Sequence, residues 1–148
     1  MSQDGHMPLT SRSLPIALLR ARERVMGPIR AMLSDVGITE QQWRVLRVLD
    51  EGGAQEPTVI AEKACLLLPS LTRILQKLSE KGFIERTPDK TDRRKQVVSI
   101  TAAGAMLIED NLATSIAIMD RIKAEMGPER YEALLDLLNE LDAAQVRA

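Results

Sequence analysis

The sequence predicts a mainly α fold of the winged helix-turn-helix type, with long N- and C-terminal helices as dimerisation arms. Three observations lead there. Short amphipathic helical patterns follow one another between residues 38 and 81, a highly charged hairpin pattern occupies residues 83–100, and two apolar-striped helices close the chain. Apolar residues make up 45% of the chain and aromatic residues only 2%, so Leu, Ile, Val, Ala and Met must build the core. That mixture suits helices better than sheets. A length of 148 residues fits one compact domain carrying such arms.

Each element has its own signal. Residues 1–12, with Asp4, Gly5 and Pro8, read as a flexible N-terminal arm. From Ser13 to Leu33 the residues Leu14, Ala17, Leu18, Ala21, Val25, Ile29, Met32 and Leu33 recur at helical spacing. Gly27-Pro28 within that run predicts a kink or a break. Thr39 with Gln42 is a capping-box pattern, opening a helix from Glu40 to about Asp50 with Trp43, Leu46 and Leu49 inward; Gly52-Gly53 ends it. Pro57 starts a short helix to about Cys65, and Pro69 starts another to about Lys81, before Gly82. Phe83–Thr87 and Gln96–Ile100 read as strands joined by the tip Pro88–Lys95. Thr101 can cap a helix from Ala102 to Met126, and beyond Gly127-Pro128 a last helix runs from about Glu129 to Ala144. The winged unit thus spans 38–101, and 13–36 with 102–146 form the dimerisation region.

The net charge of −1 hides a polarised distribution: residues 73–95 carry eight Lys/Arg against four Asp/Glu, and residues 96–148 carry four against nine. Phosphate attraction is short-ranged in salt, so a local basic patch counts for more than the global charge. In the helix opened by Pro69, Leu71, Ile74, Leu75 and Leu78 make an apolar face. Ser70, Thr72, Arg73, Gln76 and Lys77 lie away from it, a set of hydroxyls, an amide and cations suited to base edges and phosphates in a major groove. The tip Asp92-Arg93-Arg94-Lys95 suits a wing along a minor groove, with Asp92 placed to orient Arg94. Either set, taken alone, is also what a solvated surface looks like; their order along the chain favours double-stranded DNA.

Two stretches, Asp92-Arg93-Arg94 and Val98-Ser99-Ile100-Thr101-Ala102-Ala103-Gly104, resemble the wing and following helix start of the MarR (multiple antibiotic resistance regulator) family, and the resemblance extends from about Ser13 to Leu141. Within it, Ser13–Glu23, Thr39–Arg44 and Ala64–Thr72 are similar to the branch that controls homoprotocatechuate (hydroxyphenylacetate) degradation. The resemblance implies a homodimeric regulator, usually a repressor, on a pseudo-palindromic operator that an aromatic acid makes it release; a cytoplasmic location is expected from the N-terminus, which carries no charged-then-apolar signal pattern. It also implies a recognition helix starting at Pro69 and a minor-groove arginine at Arg94. For the effector's carboxylate and ring it points to Arg22, Trp43 and Arg47, with Ser13 for a hydroxyl contact.

A helix of about 25 residues is roughly 37 Å long, too long to bury Ala105, Ile108, Leu112, Ile116, Met119, Ile122 and Met126 on one small winged unit. Tyr131, Leu134, Leu135, Leu138 and Leu141 add a second stripe, and a second copy of the chain is the expected cover. An enzyme is not expected: the one histidine, His6, lies in the N-terminal arm, and neither a metal-ligand cluster nor a phosphate loop is present. No cofactor and no membrane segment are expected. Cys65, the one cysteine, sits among Ala64, Leu66, Leu67 and Leu68 and reads as buried. A redox regulator using Cys65, or a winged regulator with no small-molecule effector, are the alternatives.

Overall fold

The computed structural model describes residues 9–144; the N-terminal arm up to Pro8, His6 included, lies outside them. A short 3-10 turn, Thr10–Arg12, leads into α1 (Leu14–Ser34), α2 (Glu40–Gly52), α3 (Pro57–Lys63), α4 (Leu68–Glu80), β1 (Ile84–Pro88), β2 (Gln96–Ile100), α5 (Ala102–Met126) and α6 (Pro128–Ala143). This is the mainly α winged helix-turn-helix order that the sequence predicts. Prolines at the first or second position of α3, α4 and α6 mark the starts, because proline lacks the N–H that a first turn would leave unpaired. Both halves of the α2 capping box form: Gln42 N–H donates to Thr39 Oγ1, and Thr39 N–H to Gln42 Oε1, each at 3.1 Å.

Gly27-Pro28 does not break α1, which runs unbroken through Pro28. A residue before proline is normally pushed out of the α region by contact between the proline ring and its Cβ. Gly27 has no Cβ, so that part of the clash is absent here. Both residues are also exposed, where water can solvate the carbonyl that proline leaves unpaired.

The core lies where α1, α2, α4 and α5 meet. Leu33, Val45, Leu46, Leu49, Ile60, Leu71, Leu78 and Val98 are almost wholly buried. Strands β1 and β2 are antiparallel, Ile84 opposite Ile100 and Pro88 opposite Gln96. Gln55 adds a bridge the sequence does not announce, exchanging backbone hydrogen bonds of 2.8 and 3.0 Å with Val98. One isolated pair carries no alternating pattern, so periodicity cannot reveal it.

Cys65 is exposed, not buried. It is the second residue after α3, with φ of 54°, where the helix closes through Leu66 N–H to the Ala61 carbonyl at 2.9 Å. Such a stop turns the side chain outward and places a Cβ in the left-handed region that glycine prefers. Cys65→Gly is expected to raise unfolding stability by about 0.5–1 kcal/mol in a urea titration, the relief of left-handed strain less glycine's chain entropy. A loss of stability would mean that the cysteine side chain packs against something.

Candidate functional site

Helix α4 buries Leu71, Leu75 and Leu78 and part of Ile74, and turns Pro69, Thr72, Arg73, Gln76 and Lys77 outward, with Ser70 half-buried at its N-terminal end. The amphipathic spacing forces this division, since positions three and four apart share a face. Thr72 Oγ1 donates to the Leu68 carbonyl at 3.1 Å and keeps its lone pairs outward. Lys81 at the end of α4 donates to the Gly37 carbonyl at 2.7 Å, pinning the helix to the turn between α1 and α2.

The hairpin lies beside that outward face. Arg86 on β1 donates through Nη2 to Gln76 Oε1 at 2.9 Å, so the wing and the polar row of α4 share one surface. At the tip, Thr91 donates to Asp89 Oδ1 through both its backbone N–H and its hydroxyl at 2.9 Å. These bonds, the backbone one first, hold the Asp89 carboxyl below its ordinary range. Asp92 Oδ1 accepts from Arg94 N–H at 3.1 Å and from Arg94 Nε at 3.2 Å. The Arg94 side chain is nonetheless 92% exposed, so its terminal nitrogens point into solvent from an anchored base. Arg93 and Lys95 are exposed as well, and Lys95 Nζ lies 3.8 Å from Glu56.

A second site lies between α1, α2 and α5. A groove of about 660 Å³ is lined by Arg22, Trp43 and Arg47 together with Glu40, Arg44 and Asp120 among others. Three of the residues expected to meet thus do meet. Ser13 does not: it stands nine residues before Arg22, about 13 Å along the axis of α1, and does not line the groove within one chain. Trp43 is 8% exposed, serving the core and the groove wall at once.

Charge in the groove is partly spoken for. Arg22 Nη2 lies 2.7 Å from Glu40 Oε2, and Arg30 reaches the other Glu40 oxygen at 3.5 Å while gripping Glu23 with bonds of 2.7 and 2.9 Å. The Arg30 hydrogen bonds hold the Glu23 carboxyl below its ordinary value. A carboxyl so lowered contributes fully above its unfolded pKa and loses that contribution as pH falls through its folded value, so this network is intact at neutral pH. Arg44, by contrast, has a buried Nε with no partner among the described residues, and Arg47 is exposed. Neither Glu40 nor Arg44 is predicted as a site residue. The ion pair from Arg22 to Glu40 spans 18 positions, and no local pattern encodes it.

Among the described residues no helix is long and apolar enough to cross a membrane, and no cluster of His, Cys, Asp and Glu could hold a metal ion. A family model described as the MarR family matches residues 38–96. The chain is 37% identical over 137 residues to the HTH-type transcriptional regulator FarR of Neisseria gonorrhoeae, covering 91% of this chain and 94% of that protein. It is 36% identical over 131 residues to the homoprotocatechuate degradative operon repressor of Escherichia coli, covering 88% of each. Among solved structures it matches NadR in complex with 4-hydroxyphenylacetate with a TM-score of 0.81 and 35% identity, over 98% of this chain and 99% of that one.

Proposed function

The chain belongs to the MarR family of transcriptional regulators, and from that premise we propose that it is a homodimeric repressor which releases its operator when a small aromatic carboxylic acid binds. The observation that carries the reading is the contact between Arg86 and Gln76. It joins the polar row Pro69, Ser70, Thr72, Arg73, Gln76 and Lys77 to strand β1 of the hairpin whose tip carries Asp92, Arg93, Arg94 and Lys95. A helix and a basic loop so joined can enter a major groove and the minor groove beside it.

Dimerisation follows from what a single chain leaves uncovered. Helix α6 buries none of its residues, and Leu134, Leu135, Leu137, Leu138 and Leu141 are 37–61% exposed. Leu14, Leu18 and Leu19 of α1 and Leu112 and Ile116 of α5 are exposed too. A two-fold partner covering these stripes would set two copies of α4 on half-sites about 34 Å apart, one helical turn of a pseudo-palindrome.

The groove supports the effector. Trp43 gives a flat apolar wall, and Arg22, Arg44 and Arg47 supply cations for a carboxylate. Relatives of this chain are named for homoprotocatechuate degradation and for a complex with 4-hydroxyphenylacetate, so aromatic catabolism is the proposed setting. Titrating labelled upstream intergenic DNA by fluorescence anisotropy, with and without 4-hydroxyphenylacetate, tests the reading: the acid is expected to weaken binding, and indifference to hydroxyphenylacetate-type acids would remove the effector from it.

Because Glu40 occupies Arg22 at 2.7 Å, an incoming carboxylate has to displace it. Glu40→Gln is therefore expected to tighten acid binding severalfold in isothermal calorimetry, since the competing interaction loses its charge-assisted strength, worth roughly 1–2 kcal/mol. Unchanged or weaker affinity would show that Arg22 does not take the acid.

A further inference from the structure

We propose that Arg86 is a positioning residue that fixes the side-chain amide of Gln76, and thereby sets which base edge α4 accepts; this rests on the DNA-binding reading above. An unconstrained glutamine reads adenine with two bonds, accepting from N6 and donating to N7. In this chain both ends of the amide are engaged. Arg86 Nη2 donates to Gln76 Oε1 at 2.9 Å, and Gln76 Nε2 donates to Glu80 Oε1 at 3.1 Å.

The chemistry of the two neighbours allows one orientation. A guanidinium has donors and no acceptor, so the amide nitrogen cannot face Arg86. An ionised carboxylate has acceptors and no donor, so the amide oxygen cannot face Glu80. With its oxygen held by Arg86 and one N–H held by Glu80, Gln76 has a single N–H left for the groove. That donor suits an acceptor edge, guanine N7 or O6 or thymine O4. Gln76 Oε1 keeps one lone pair, but Arg86 fixes its direction and already draws on it, so adenine's amino group meets an acceptor in use and adenine is disfavoured. Lys77 Nζ lies 3.9 Å from the other Glu80 oxygen. Arg86, rather than touching a base, acts from the wing through the recognition helix.

Selection from a randomised duplex library, run on the wild type, Arg86→Ala, Arg86→Lys, Gln76→Ala and the Arg86→Ala/Gln76→Ala double variant, tests this. Arg86→Ala frees Oε1 and is expected to shift one base pair per half-site toward adenine by about fivefold or more, the low end of what a bidentate pair contributes. Arg86→Lys should restore the wild-type preference, because lysine also only donates. Adding Arg86→Ala to Gln76→Ala should change the preference no further. Arg86→Lys also keeps the test readable if alanine loosens the wing. Equal weakening on every sequence, with a salt slope smaller by about one, would make Arg86 a phosphate contact and overturn the proposal. An unshifted preference in Arg86→Ala would overturn it too. A wild type that binds no duplex at all would overturn the DNA-binding reading and this proposal together.

Discussion

Gly104→Ala is expected to destabilise the protein by about 3 kcal/mol, the upper end of what one added methyl group costs in a packed interior. A Cβ at this position would lie 2.4 Å from the Phe83 carbonyl oxygen and 2.7 Å from Ile100 Cγ1. The first of these is backbone and has nowhere to go, because the same carbonyl accepts from Thr101 N–H at 3.0 Å. Thr101 Oγ1 also donates to the Gly82 carbonyl at 2.7 Å and accepts from Gly104 N–H at 3.2 Å. The start of α5 is thus clamped onto the turn between α4 and β1, where winged unit and dimerisation helix join. Relief requires α5 to lift away from the hairpin, so DNA affinity should fall along with stability. A urea titration of the variant gives the first quantity and anisotropy the second. A loss below about 0.5 kcal/mol, the scatter expected of an inconsequential surface change, would show that the junction is looser than the backbone contact requires.

Arg94→Ala is expected to weaken binding to every duplex sequence by roughly tenfold or more, on the basis of about 1.5–3 kcal/mol for a hydrogen bond to a charged group. The side chain is 92% exposed yet tethered at Nε to Asp92, 3.2 Å away. Such an arrangement presents the two terminal nitrogens outward with part of their ordering cost already met by the tip. A minor groove lined by phosphates is the surface it fits, and groove width rather than base identity is what it would sense. Arg94→Lys should recover part of the loss, keeping the charge and losing the planar fork. Asp92→Asn should weaken binding less than Arg94→Ala, since it loosens the tether and leaves the cation. Unchanged affinity in Arg94→Ala would remove the wing from the interface.

What could be read in the sequence, and what could not, divides by range. Elements announced by residues three or four positions apart were legible: Thr39 with Gln42, Thr101 with Gly104, and the α4 stripe of Leu71, Leu75 and Leu78 all stand where local pattern puts them. Boundaries moved by one residue where a proline begins a helix, as at Pro128, and at the hairpin, where β1 opens at Ile84 rather than Phe83. Cys65 misled because its apolar neighbours suggest burial, whereas the left-handed stop after α3 decides where its side chain points. Gly27-Pro28 does not break α1, because a glycine ahead of proline lacks the Cβ that would clash with the ring. In the groove, Arg22, Trp43 and Arg47 came from resemblance. Glu40, the partner that occupies Arg22, was invisible because it reaches Arg22 only once α1 and α2 have packed. Arg86 was hidden in the same way, since nothing in a strand of five residues says which helix residue its side chain will meet.

We propose that α4 and the wing together hold duplex DNA through its phosphates. The most direct test is the salt dependence of binding, with log K measured against log salt concentration by anisotropy on the upstream intergenic duplex and on an unrelated duplex. About 6–10 phosphate contacts from a dimer predict a slope near −0.9 per contact, and hence a loss of about a thousandfold or more between 50 and 200 mM salt. The unrelated duplex should show a steep slope as well, at lower affinity. Absence of binding to either duplex at low salt would contradict the account, because a basic wing and an exposed polar recognition helix must capture phosphates there if they capture them anywhere.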